Sequence, residues 1–351
     1  MSKKVYVGMS GGVDSSVTAA LLVRQGYDVT GVYMKNWTQD LPGMKCPWAD
    51  DLADAKRVAV QLGIPFKVFD FQAEYKQKVV DYMIDEYKAG RTPNPDVMCN
   101  QEVKFKVFLQ AALEDGADMI ATGHYAATKD GQLLMAADPA KDQTYFLYRV
   151  TEDALHKTLF PLGEMTKPEV RAKAEEFGLV TATKKDSQGI CFVGKVGIKE
   201  FLQQYVTAEP GNIVDKNTGK IIGQHEGAIY YTFGQRHGMG VGGGLPYYVV
   251  GKDMAKNEVY VTTDLNDGSL WRDTMTLSHL HWINESPTPG KTYKVRTRHR
   301  APLIDCEIST IDGDRLTLRL KDAERAITPG QSAVLYDGVR VLGGGIAQQT
   351  L

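Results

Sequence analysis

The chain has 351 residues, 41 Lys plus Arg against 43 Asp plus Glu, a net charge of -2, and 43% hydrophobic residues. That length suits two or three domains and the composition is that of an ordinary globular protein, with no global pull toward nucleic acid, so RNA or DNA binding needs local basic patches. No run approaches roughly 18 uncharged apolar residues, so no membrane-spanning helix is expected.

The first half alternates strands and helices. Lys4 to Met9 is a β-rich apolar run, and Ser15 to Gln25 has helical spacing that stops at Gly26. A strand follows at Val29 to Met34, then a helix from Asp51 to Leu62 closed by Gly63 and Pro65. Phe66 to Phe71 is a strand and Glu74 to Lys88 an amphipathic helix closed by Gly90. A Pro-rich loop, Arg91 to Asn100, precedes a helix from about Gln101 to Glu114, and Asp118 to Thr122 is a further strand. Single helices between strands predict an α/β fold with a doubly wound parallel sheet. Gln143 to Val150, Lys167 to Phe177 and Ile198 to Tyr205 read as three more helices; Thr166 and Glu169 form a capping box, with Pro168 in the first turn.

The texture changes near Asn212. Short β runs such as Ile229 to Phe233, Tyr247 to Val250 and Glu258 to Thr262 lie among turns. From about Asp273 strands alternate: Tyr293 to Arg298, Leu303 to Ile308, Leu316 to Leu320, Ser332 to Tyr336 and Val339 to Leu342, with Asp312-Gly313 as a hairpin signal. We divide the chain into an α/β domain (1–197), a small central domain (198–268) and a C-terminal β-barrel (269–351).

Met1-Ser2-Lys3-Lys4 carries neither the apolar run nor the cleavage site of a secretory leader. The four cysteines, Cys46, Cys99, Cys191 and Cys306, are too few for a disulfide framework, which points to a reducing, cytoplasmic home. None pairs at C-x-x-C spacing, so no metal site is expected. Cys46 and Cys306 have no assignable role.

Three segments carry chemistry. The first is Ser10-Gly11-Gly12-Val13-Asp14-Ser15-Ser16, at a strand end that opens a helix. Ligands bind at the carboxyl ends of parallel strands, and a helix N-terminus offers unpaired N–H groups to an anion. The glycines admit phosphate oxygens, the serines add hydroxyl donors, and Asp14 can cap the helix or hold Mg²⁺. A tight Gly turn with a Ser/Asp cap is the structural alternative. The Gly-Lys-Ser/Thr ending of a P-loop is absent. The second segment, Arg91 to Asn100, uses two prolines to stiffen a loop that can present Asp96 and Cys99. Cys99 is next to a helix start, where a thiolate is favoured, although a small buried hydrophobe is the common fate of a lone cysteine. The third, Lys184 to Phe192, sets two lysines and Gly189 near Cys191, with the same two readings open.

The first segment matches the Ser-Gly-Gly-x-Asp-Ser signature of the PP-loop ATP pyrophosphatases, which cleave ATP between its α- and β-phosphates and adenylate an oxygen of their substrate. The chain as a whole resembles the tRNA-specific 2-thiouridylases, the MnmA family. The resemblance rests on Gly8-Met9-Ser10-Gly11-Gly12-Val13-Asp14-Ser15, Asn94-Pro95-Asp96 with Cys99, Thr122-Gly123-His124-Tyr125, Lys141-Asp142-Gln143 before Tyr145-Phe146-Leu147, and Ser187-Gln188-Gly189-Ile190-Cys191-Phe192. It implies a PP-loop domain in which residues 8–15, Met34 and Gly123 hold ATP with its Mg²⁺. It implies that ATP adenylates the C2 oxygen of a wobble uridine. Cys191 would carry sulfur as a persulfide. Cys99 would free sulfide or attack the activated base, ending in a disulfide with Cys191. Asp96 would contact the base. Asn94, Pro95, His124, Lys141, Asp142, Gln143, Arg298, His299 and Gln331 would face tRNA, and a cysteine desulfurase or sulfur-relay protein would supply sulfur. His299 stands where an aromatic such as Tyr is expected, and His can also stack on a base.

From the residues alone, His124 also reads as a satisfied histidine and Lys141 to Gln143 as a solvated turn. Lys291, Lys294, Arg296, Arg298 and Arg300 occur in ten residues without an acid, and the even positions from Lys294 predict one basic strand face. Gly238 to Gly243 fits G-x-G-x-x-G but leads into a strand, so it is not a dinucleotide site. His279 and His281 lack a third metal ligand. An adenylating amidotransferase or synthetase of the same superfamily is the enzymatic alternative, but it has no use for Cys99 and Cys191.

Overall fold

The computed structural model describes residues 2–40, 46–185, 197–240 and 245–348. The strands, in chain order, begin with β1 (Lys4–Gly8), β2 (Asp28–Lys35), β3 (Phe66–Asp70) and β4 (Met119–Ala121). A hairpin, β5 (Ala127–Lys129) and β6 (Gln132–Leu134), and the short β7 (Thr158–Leu159) follow. Five of these form a parallel sheet in the order β3-β2-β1-β4-β7.

Alternation along these strands sends side chains into two separate cores. Tyr6, Val32 and Ile120 face the helical segments of 72–88 and 95–114. Val5, Val7, Tyr33 and Ala121 face helix α1 (Val13–Arg24), helix α2 (Trp48–Leu62) and helix Lys167–Glu176. This is the doubly wound arrangement, and its strand order reverses between β1 and β4. The ends of those two strands therefore flank the crevice where such sheets bind ligands.

The helix predicted to start near Gln101 begins earlier. Asn94 caps it, Pro95 takes its first position, and it runs as Pro95–Met98, a π-helical stretch Cys99–Val107, then Phe108–Glu114. Cys99 is thus inside the helix rather than beside its start. The helix predicted at Gln143 to Val150 shrinks to one 3₁₀ turn, Thr144–Phe146. Asp142 Oδ1 accepts from the Thr144 amide and hydroxyl, and this local bonding competes with helix.

In the central domain β8 (Gly211–Asp215), β9 (Ile221–His225), β10 (Tyr248–Asp253) and β11 (Glu258–Thr262) make a sheet in the order β10-β11-β8-β9. The run Ile229 to Phe233 is not a strand; Ala228–Tyr230 is a 3₁₀ turn. The C-terminal strands are β12 (Trp271–Trp282), β13 (Thr292–Arg296), β14 (Ile304–Asp312), β15 (Arg315–Arg325), β16 (Ser332–Asp337) and β17 (Arg340–Ala347). They pair in the order β12-β15-β14-β13-β16-β17, and a β12–β17 pairing closes the six-stranded barrel. The hairpin of the first domain joins this sheet, with Leu134 opposite Arg340 and Leu133 opposite Val341. Backbone hydrogen bonds therefore tie the α/β layer directly to the barrel.

Candidate active site and RNA-facing surface

The chain turns sharply after β1. Gly11 has a φ of +74°, and a Cβ there would sit 2.3 Å from the Asp51 carbonyl oxygen at the start of α2. Only glycine fits. Gly12 is the N-cap of α1. The loop is held by its own hydroxyls: Ser15 and Ser16 donate to the Gly12 carbonyl at 3.1 and 2.8 Å, and Ser15 Oγ accepts from the Ser10 amide at 3.2 Å. The first amides of α1 have no partner within the helix and point at the crevice, a ready seat for phosphate. Gly123, just after β4, packs so tightly that a Cβ would lie 2.8 Å from both Asp14 C and Ser15 N. Gly8 is close to Met34, whose Cε would meet a Cβ there at 3.0 Å. Residues 8–15, Met34 and Gly123 thus gather at one end of the sheet.

Asp14 neither caps α1 nor stands open. Its oxygens accept from Lys167 Nζ at 2.7 and 2.9 Å, and Tyr125 donates its hydroxyl to Oδ1 at 3.0 Å. Lys167 lies at the start of the capped helix, fixed by Thr166 and Glu169 and by its own amide on Asp138 at 2.9 Å. Nothing local in the sequence marks Lys167 as part of the site. The capping box that places it was legible, but its contact with Asp14, 153 residues away, was not.

The Pro-rich loop is clamped from the barrel. Thr92 donates its amide to Pro329 O at 2.9 Å, and Gln331 Nε2 donates to Thr92 O at 3.0 Å. Gln331, expected to face tRNA, thus holds the backbone leading to Asn94, whose side chain caps the helix through the Val97 amide. Pro95 is buried and Asp96 half-buried. Cys99 is 1% exposed, within the core cluster. Cys191 and its motif from Ser187 to Phe192 lie outside the described residues. So does part of the Gly238 to Gly243 segment.

His124 is interior, not surface. It is 9% exposed and stacked among Phe105 and Phe160, with Nδ1 2.7 Å from the Thr122 hydroxyl. Burial, and next the charge of Lys104, holds its pKa well below 6.5, so the ring is neutral. Lys141 is half-buried, whereas Asp142 is fully buried against Arg296, which donates NH1 to Oδ2 at 2.8 Å. Gln143 Oε1 accepts from the Tyr125 amide at 2.9 Å. Asp142 and Gln143 are therefore braces of the site's scaffold in this arrangement.

The predicted basic face is largely paired. β13 ends at Arg296, which turns inward to Asp142. Lys291 and Lys294 meet Asp337 and Asp305 at 2.7 Å each, and Arg298 meets Glu324 at 2.6 Å. The segment itself lacks acids, but neighbouring strands supply them. His299 stacks on Phe146, ring centroids 4.4 Å apart. Burial, with Arg300 and Arg296 nearby, lowers its pKa.

Three family models cover nearly the whole chain: a tRNA methyl transferase HUP domain at residues 3–195, a tRNA methyl transferase PRC-barrel domain at 199–263 and an aminomethyltransferase beta-barrel domain at 272–347. Curated relatives match end to end. A protein of Methylobacillus flagellatus named tRNA-specific 2-thiouridylase MnmA is 47% identical over 361 residues, covering 100% of both chains. Proteins of the same name from Idiomarina loihiensis and Shewanella amazonensis are 48% and 49% identical, covering 100% and 98% of this chain and 97% and 94% of theirs. A solved 4-thiouridine synthetase–RNA complex with bound ATP aligns at 19% identity and a TM-score of 0.39, over 58% of this chain and 50% of that one.

Proposed function

This chain belongs to the tRNA-specific 2-thiouridylase family, and from that premise we propose that it is an ATP-dependent tRNA-uridine 2-sulfurtransferase. The observation that carries the reading is the full-length identity with curated thiouridylases. The words methyl transferase in the family-model descriptions do not fit as well: methyl transfer has no need of an adenylating loop or two cysteines.

The chemistry follows from what uracil lacks. Its C2 is a poor electrophile and its oxygen leaves badly. That oxygen attacks the α-phosphate of ATP, pyrophosphate departs, and the C2–O bond can then break with AMP as leaving group. In this reading the amides of Gly11 to Ser15 and the loop hydroxyls hold the phosphates, with Met34 and Gly123 beside the adenosine. Lys167 sits beside this loop on Asp14. When ATP arrives its ammonium transfers from that carboxylate to the polyphosphate. Asp14, beside the loop and now bonded to Lys167, is the carboxylate that would hold a Mg²⁺ accompanying the phosphates, where the ion would neutralise polyphosphate charge.

Sulfur comes from a persulfide on Cys191, loaded by a cysteine desulfurase or a sulfur-relay protein. Cys99 completes the transfer by one of two routes. Its thiolate cleaves the persulfide and frees sulfide for attack on C2, or it attacks C2 itself before the persulfide sulfur replaces it. Either route ends in a Cys99–Cys191 disulfide, which a thiol reductant reopens. Cys99 is 1% exposed, so its sulfur has to become accessible for either route. Asp96 contacts the base and assists proton transfer. We place the enzyme in the cytoplasm, where its tRNA substrate and a thiol reductant coexist.

Incubation with labelled ATP and unmodified tRNA tests the adenylation class. AMP and pyrophosphate are expected. ADP and inorganic phosphate would remove the enzyme from that class.

A further inference from the structure

A second charged feature lies away from the phosphate loop, at the seam between the central domain and the barrel. It is a cavity of about 330 Å³, walled by Phe233 and Tyr248 and lined by Arg236, Arg298 and Arg325. Arg236 comes from the central domain and the other two from the barrel. Three arginines lining one space concentrate positive charge there, which favours an anion.

The neighbourhood supplies only part of that anion. Glu324 takes Arg298 at 2.6 Å, and the Arg325 carbonyl accepts from the same guanidinium at 2.9 Å. Arg325 itself lies over the Tyr248 ring, 4.8 Å from its centroid, and its Nε is buried with no hydrogen-bond partner. The floor is tightly built. Gly234 has a φ of +77°, and a Cβ there would be 2.7 Å from the Cβ of Ala326, itself at a φ of +54°.

Planar guanidiniums pair with phosphate through parallel N–H bonds. The volume admits a phosphate with its sugar, and Phe233 offers an apolar wall beside it. The cavity is also linked to the catalytic loop. Three residues beyond Ala326, Pro329 receives the Thr92 amide, and Gln331 clamps Thr92 from the same turn. On the other wall, Arg298 precedes His299, which stacks on Phe146.

We propose that this cavity seats a backbone phosphate of the RNA substrate, with Arg236 and Arg325 as its ligands alongside Arg298. The seat registers the RNA on the barrel while the uridine enters the α/β domain. This rests on the tRNA reading above and adds a positioning site to it.

Fluorescence anisotropy with unmodified tRNA, across about 50 to 300 mM salt, tests the seat. Wild type, Arg236→Ala, Arg236→Lys and Arg325→Gln are compared. Arg236 is exposed, so its replacement leaves the fold standing even if Arg325→Gln does not. Arg236→Ala should weaken binding about tenfold at moderate salt and reduce the log–log salt slope by about 1. Arg236→Lys should recover the slope but only part of the affinity, and KM for tRNA should rise more than kcat falls. Salt slopes that superimpose for wild type and Arg236→Ala would overturn the seat. A wild-type protein that neither binds nor thiolates tRNA would instead sink the functional reading itself.

Discussion

Gly11 shows how much one residue of the loop decides. Its left-handed backbone and its approach to Asp51 leave no space for a methyl group. Gly11→Ala should cost about 1–3 kcal/mol of stability and abolish pyrophosphate release, read by urea denaturation and a coupled pyrophosphate assay. A fully active variant would show that the turn is not needed. The tight glycine turn was legible because strand, turn and helix coincide in the sequence. Lys167 was not, since nothing local distinguishes a lysine that meets Asp14 from one in solvent. Lys167→Met should slow ATP cleavage on the order of 10²-fold while leaving tRNA affinity intact. Unchanged cleavage would make the Lys167–Asp14 pair purely structural.

His124 carries a pH consequence. Its folded pKa is depressed, so the folded chain refuses a proton that the unfolded chain accepts as pH falls through about 6.5. Its contribution is complete above that value and is lost progressively below it, down toward the folded pKa. His124→Gln should therefore lose less stability than wild type between about pH 7.5 and 5.5, by roughly 1 kcal/mol, measured as urea midpoints at the two values. Equal losses would mean the ring titrates normally. The sequence could place His124 after a strand but not say that two Phe rings enclose it.

At the scale of elements, periodicity was legible where one face is buried and misleading where packing is not repetitive. The strands of the parallel sheet and most barrel strands follow their apolar runs. The Gln143 to Val150 segment has helix-like spacing, yet Asp142 takes the amide and hydroxyl of Thr144, and Tyr145 reaches Ser332 O at 2.8 Å. Strand alternation put Arg296 on a basic outer face. The last residue of β13 instead turns in to meet Asp142. Removing one partner of a buried pair leaves an uncompensated charge, so Arg296→Met should destabilise by about 3–5 kcal/mol. Adding Asp142→Asn should recover much of that in denaturant titrations. A double variant no more stable than Arg296→Met would deny that the lost charge pairing is what costs.

The whole molecule joins an ATP-handling sheet to a barrel. The Leu134–Arg340 strand pairing and the Gln331 clamp make the barrel part of the site's frame, so the Pro-rich loop does not hold its shape alone. Composition and motif order made the three-part plan readable and pointed to Cys99 and Cys191 as the sulfur-handling pair. They could not show that Cys99 is enclosed in the free protein. The central claim is that ATP activates a uridine oxygen which sulfur then replaces through Cys99 and Cys191. Mass spectrometry of nucleosides from tRNA incubated with ATP, a persulfide donor and the enzyme tests it most directly. Wild type and Cys306→Ser should yield 2-thiouridine, while Cys99→Ser and Cys191→Ser yield none. Normal 2-thiouridine from either of those last two variants would contradict the account.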